Sequence, residues 1–96
     1  MHLDEWFPDL EDRLSIQSTK AGDDTLRSIG RLSKFRILYA DITHVTDAGL
    51  KHIEKLDQLN YINLQKTQVT DAGITALRQA LPNCRIEWDG GVIEPR

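Results

Sequence analysis

The pentapeptide Val-Thr-Asp-Ala-Gly occurs twice, at 45–49 and 69–73, an interval of 24 residues. The same interval relates Leu38, Ala40, Thr43, Leu50 and Ile53 to Ile62, Leu64, Thr67, Ile74 and Leu77. One step back it reaches Leu14, Ile16, Thr19, Ala21, Leu26 and Ile29; one step forward it reaches Ile86 and Trp88, where the pattern stops. A constant period in the twenties predicts a stack of equivalent units, each burying its apolar face only against its neighbours. Such a chain offers an extended surface rather than a deep pocket.

Each unit has two halves with different apolar periods. Leu38 and Ala40 stand two apart, the period of a strand, whereas Leu50, Ile53 and Leu56 stand three apart, as on one face of a helix. Thr46 and Thr70 precede the helical runs as N-caps, and Asp47 and Asp71 place carboxylates against the positive helix ends. Gly22 and Asp23 fill the same places less well one unit earlier. Strands are expected near 13–17, 37–41, 61–65 and 85–88, and helices near 23–32, 47–56 and 71–81. The small residues Ala48-Gly49 and Ala72-Gly73 let each helix start approach its neighbour closely; Asp24-Thr25 predicts a looser turn in the first unit. The expected fold is α/β, a short right-handed solenoid with parallel strands on the concave face and helices on the convex face. Leu14, Ile16, Leu26, Ile29, Leu38, Leu50, Ile53, Ile62, Leu64, Ile74, Leu77 and Ile86 form its predicted core.

The segments Phe35–Val45 and Leu59–Val69 resemble the leucine-rich-repeat pattern L-x-x-L-x-L-x-x-N/C-x-L. The Val-Thr-Asp-Ala-Gly-Leu/Ile stretch that follows each is similar to the convex half of the cysteine-containing and F-box-associated subfamilies and of tandem bacterial repeats like them. The resemblance covers 14–88: two good units, one degraded unit and a closing strand. It implies a scaffold that binds a protein partner, a role unrelated chains fill in many ways. The Asn/Cys slot holds Thr19, Thr43 and Thr67 instead, a departure that predicts an inward ladder of hydroxyls tying down loop backbone.

Both ends of such a stack need sealing. Leu3, Trp6, Phe7 and Leu10, with Pro8 interrupting, are read as an N-terminal cap over 1–13; the repeats fill 14–88, and 89–96 reads as a flexible tail. Trp88 covers the core edge, and Val92-Ile93 is expected to lie back over it, or along a partner's sheet, on a Gly90-Gly91 hinge.

Composition bounds the function. With a net charge of −3 and Lys and Arg scattered along the chain, there is no basic stripe for nucleic acid. No apolar run reaches the roughly 18 residues of a membrane helix, and Met1–Glu5 has neither a basic n-region nor an apolar h-region. Cys84 is the sole cysteine, which excludes an internal disulfide framework and fits a reduced, cytoplasmic setting. His2, His44 and His52 make no ligand pair at helical spacing, Cys84 has no fixed His partner, and no glycine-rich loop has phosphate-binding spacing. A non-enzymatic role with no cofactor is the expectation.

The outward strand positions are more specific. Across successive units the columns are Arg13, Ile37, Tyr61 and Arg85; Ser15, Tyr39, Asn63 and Glu87; and Gln17, Asp41, Gln65 and Asp89. Tyr and Arg bury area while keeping hydrogen-bonding ends, which makes them frequent interface anchors. Arg13, Arg36, Ile37, Tyr39, Asp41, Tyr61, Asn63, Gln65, Arg85 and Glu87 are therefore the candidate partner-binding residues. The competing reading is a structural subunit or fragment of a larger assembly, self-associating through open solenoid ends.

Overall fold

The 24-residue interval is the register of a sheet. In the computed structural model, which describes residues 13–32 and 35–95, Arg13 pairs with Ile37, Ile37 with Tyr61 and Tyr61 with Arg85. The elements are β1 (Arg13–Ser15), α1 (Asp23–Ile29), β2 (Ile37–Tyr39), α2 (Asp47–Ile53), β3 (Tyr61–Leu64), α3 (Asp71–Ala80), β4 (Arg85–Trp88) and β5 (Gly91–Ile93). The five strands stand in sequence order, β1 to β4 parallel and β5 antiparallel to β4. Among the described residues the result is a small α/β unit of three helices and a mostly parallel, open sheet.

One core fills it. Leu38, Ile62, Leu64 and Ile86 from the strands meet Leu26, Leu50, Ile53, Ile74 and Leu77 from the helices, all buried. Phe35, Val45, Leu56, Leu59, Leu81 and Cys84 close it at the connections. Two predicted core residues depart from the expectation: Leu14 and Ile16 are only partly buried, packed against the cluster rather than inside it. Leu14 lies in β1 and Ile16 just past its end, at the sheet's edge among the described residues. The N-terminal cap assigned to Leu3, Trp6, Phe7 and Leu10 lies outside the described residues.

The threonine ladder forms in all three units. Thr19, Thr43 and Thr67 each donate Oγ1–H to the carbonyl three residues earlier, on Ile16, Ala40 and Leu64, at 2.6, 2.7 and 2.7 Å. Only Thr43 is buried; Thr67 is half-buried and Thr19 exposed, which corrects the inward orientation expected of all three. These threonines follow Ser18, Ile42 and Lys66, each at positive φ (57°, 57° and 56°).

The repeated pentapeptide joins successive units. Asp23 accepts the Thr46 N–H at Oδ1 (2.8 Å) and the Thr46 hydroxyl at Oδ2 (2.6 Å). Asp47 accepts the same pair from Thr70 at 2.8 and 2.5 Å. Gly49 and Gly73 complete the arrangement by close approach: a Cβ there would overlap the carboxylate of Asp23 or Asp47. Thr46 also caps α2, accepting the Ala48 N–H at 3.3 Å, but Thr70 makes no side-chain cap bond. The capping bond expected of Thr70 does not form; its hydroxyl donates to Asp47 of the preceding unit.

The stretch read as a flexible tail contains β5. Ile86, Glu87 and Trp88 pair with Ile93, Val92 and Gly91, and Ile93 packs on the core beside Trp88. Gly91 supplies the turn with φ +132°, a value side chains rarely adopt.

Candidate protein-interaction face

On the sheet, Leu38, Ile62 and Leu64 point to the helices, so alternation sends Ile37, Tyr39, Tyr61, Asn63, Arg85 and Glu87 to the opposite face. Sheet pairing brings these together in two rows, Arg13–Ile37–Tyr61–Arg85 and Ser15–Tyr39–Asn63–Glu87. Ile37, Tyr39, Tyr61, Asn63 and Glu87 are half-buried, whereas Arg13, Arg36, Gln65 and Arg85 are exposed. Arg36 stands just before β2, outside the rows, its carbonyl accepting the Asn60 and Tyr61 N–H groups at 2.7 and 3.2 Å.

At the centre, the Tyr39 and Tyr61 rings meet edge to face, centroids 5.8 Å apart. The Tyr61 hydroxyl donates to Glu87 Oε2 at 2.6 Å, and the other carboxylate oxygen lies 3.3 Å from Arg85 Nη2. Arg85 Nε is 3.5 Å from Glu94 Oε1, which ties the C-terminal segment to the same network. Burial, then the hydrogen bond and negative charge of Glu87, push the Tyr61 phenol up to about 12. At neutral pH Tyr61 therefore stays a donor. Neighbouring side chains hold each ring in place, so contact with a partner would cost little side-chain entropy.

One predicted site residue does not sit as expected. Asp41 is 6% exposed: it is buried at the end of the sheet rather than projecting from the face. Its Oδ2 accepts the Gln17 side-chain amide at 2.8 Å, and Oδ1 is buried without a hydrogen-bond partner. An acceptor held this way costs free energy and offers a partner little surface. The third row is also not strand: Gln17, Asp41 and Gln65 lie just past the strand ends, where Ser18 and Ile42 donate backbone N–H groups to the Asp41 and Gln65 carbonyls.

The Glu87 and Glu94 contacts to Arg85 escaped the sequence reading. Glu87 was visible as the two-residue diagonal neighbour of Tyr61, but Glu94 reaches Arg85 only because β5 turns back. Cys84 is buried, and burial pushes its thiol up to about 12, so at neutral pH it is a packed thiol rather than a thiolate. Among the described residues no helix is long and apolar enough to cross a membrane.

Comparison of the chain with protein-family models, curated proteins and solved structures returns no match in any of the three.

Proposed function

We propose that the chain is a non-enzymatic interaction module of the leucine-rich-repeat type, recognising a protein partner through the concave face of a right-handed solenoid. The observation that carries this reading is the preordered cluster Tyr39–Tyr61–Glu87–Arg85 on the sheet face away from the helices. Support for the repeat class comes from the 24-residue register, the threonine ladder and the Asp-to-Thr bonds between units. Tyr39, Tyr61 and Ile37 supply apolar area, and Arg13, Arg36, Asn63 and Gln65 set orientation around it. Glu87 orders Tyr61 and Arg85. A reduced, cytoplasmic setting belongs to this reading, supported by a single cysteine kept as a buried thiol.

The test is quantitative affinity capture with the intact chain beside a Tyr39→Ala/Tyr61→Ala variant, followed by footprinting of the captured complex. The expected result is a retained partner that protects the sheet face and is lost by the variant, while far-UV circular dichroism stays unchanged. A partner held equally by the folded variant would overturn the assignment to this face.

A further inference from the structure

The loops that follow β1, β2 and β3 form a second concave surface, an open groove of ≈ 630 Å³ crossing residues 18–20, 42–44 and 66–68. It holds Lys20, His44 and Lys66, all exposed, and no carboxylate, in a chain of net charge −3. Neither lysine nor the histidine takes part in an ion pair or side-chain hydrogen bond among the described residues. The nearby Asp41 carboxylate is buried on Gln17 and adds no exposed negative charge; Asp89, bonded to the Lys66 N–H at 2.8 Å, borders one end.

In the middle loop stands Ile42, 44% exposed. It is β-branched and at φ 57°, so both solvent and backbone disfavour isoleucine there. Ser18 and Lys66 show that the fold accepts polar residues at the same position and conformation. The fold therefore gives no reason for an isoleucine, whereas an apolar contact in the groove does.

We propose that this groove binds an extended acidic peptide segment of the pattern acid–x–apolar–x–acid, Ile42 meeting the apolar side chain and Lys20 and Lys66 the two carboxylates, with His44 beside them. Adjacent strands lie about 4.8 Å apart, so the outer loops are separated by about 10 Å. Residues i, i+2 and i+4 of an extended chain share one side and span about 13 Å, within reach of two flexible lysine stems. Cations spread along a line around an apolar centre suit that pattern better than one phosphate, which needs donors converging on a point. Two lysines are also too few for a nucleic-acid track. The site is separate from the sheet face, so either can fail without the other.

The experiment is NMR titration of the intact chain with acetylated, amidated Glu-Ser-Leu-Ser-Glu, alongside Gln-Ser-Leu-Ser-Gln, Glu-Ser-Ser-Ser-Glu and inorganic phosphate. Amide shifts should move at 18–20, 42–44 and 66–68. Each altered peptide should bind about five- to tenfold more weakly, the scale of two screened ion pairs or one small apolar contact. Lys20→Ala/Lys66→Ala should weaken binding similarly. Ile42→Asn should weaken binding while raising Tm, so its loss cannot be charged to unfolding. Shifts confined to Tyr39 and Tyr61, equal binding of the neutral peptide, or displacement of the peptide by equimolar phosphate would each overturn the assignment. So would undiminished binding by either variant.

Discussion

Asp47 joins two units while appearing, in sequence, to serve only its own helix. Replacing it by Ala removes two charge-assisted hydrogen bonds, one from the Thr70 backbone and one from its hydroxyl. Such bonds contribute about 1.5–3 kcal/mol each when well buried. Here Asp47 is half-buried and Thr70 exposed, so about 2–3 kcal/mol for the pair is the expected loss. In a domain of this size that is a fall of roughly 10–20 °C in Tm. The sharper test is Gly73→Ala. Ala is favoured over Gly in a helix by about 1 kcal/mol, but its Cβ would overlap the Asp47 carboxylate, and overpacking costs about 1–3 kcal/mol. With Asp47 already Ala the overlapping carboxylate is gone, while the residue-47 Cβ at 3.0 Å is still a tight contact, so Gly73→Ala costs less there than in the parent chain. A double-mutant cycle by urea denaturation should therefore give a coupling of about 1–2 kcal/mol, with m unchanged. Thr70 separates this role from capping. Thr70→Ser should be mild and Thr70→Ala should lose about 1 kcal/mol, while Thr70→Asp, a competent cap, should be worst because it sets two carboxylates together. Additivity within about 0.5 kcal/mol, or recovery by Thr70→Asp, would refute the inter-unit bond.

Leu64→Ala, at a side chain with 0% exposure, should cost about 2–5 kcal/mol, and Leu14→Ala clearly less because Leu14 is only half-buried; equal losses would contradict the edge position of β1. Tyr61 ionises at about 12, above its unfolded value near 10, so its contribution to stability is complete below about pH 10 and lost as pH rises towards 12. Glu87→Gln removes the charge but not the burial and should move the phenol part of the way back, read by absorbance at 295 nm; an unchanged titration would exclude the bond. A chain ending at Asp89 loses β5 and uncovers the β4 edge, and it should melt lower or self-associate, as open edges do; unchanged Tm and solution mass would show that β5 contributes nothing.

The register is legible because apolar residues at a fixed interval have few other ways to be buried: each predicted strand and helix forms, 85–88 in full and the others shortened at their C-terminal ends. Partner choice within the polar residues was not. Asp23 and Asp47 satisfied a local explanation, the helix dipole, so nothing local pointed to a residue 23 positions later. The sign was present in the fixed offsets from each Asp to the next Thr and Gly, visible only once neighbouring units are set side by side. Asp41 departs from strand alternation because β2 ends at Tyr39 and the chain there enters the loop. The positive φ at Ser18, Ile42 and Lys66 left no trace, since those three side chains share no chemistry.

The first unit, which looks degraded, keeps one half of the joint between units. Joining two units requires an Asp in the earlier and a Thr and Gly in the later one, as Asp23 does with Thr46 and Gly49. At 22–25 the chain reads Gly-Asp-Asp-Thr: the accepting Asp is kept, while Gly22 and Thr25 stand in place of the donating Thr and the close-packed Gly. Among the described residues a Cβ at Gly22 would meet the His44 carbonyl oxygen at 3.9 Å, an ordinary contact. At the other end Thr70, just before α3, donates to Asp47, and Asp71 is exposed. On the sheet side of that end β5 takes the β4 edge, running antiparallel, so a parallel strand continuing the register would have to displace it. The pentapeptide thus holds two half-joints, of which the first unit keeps the Asp half at Asp23.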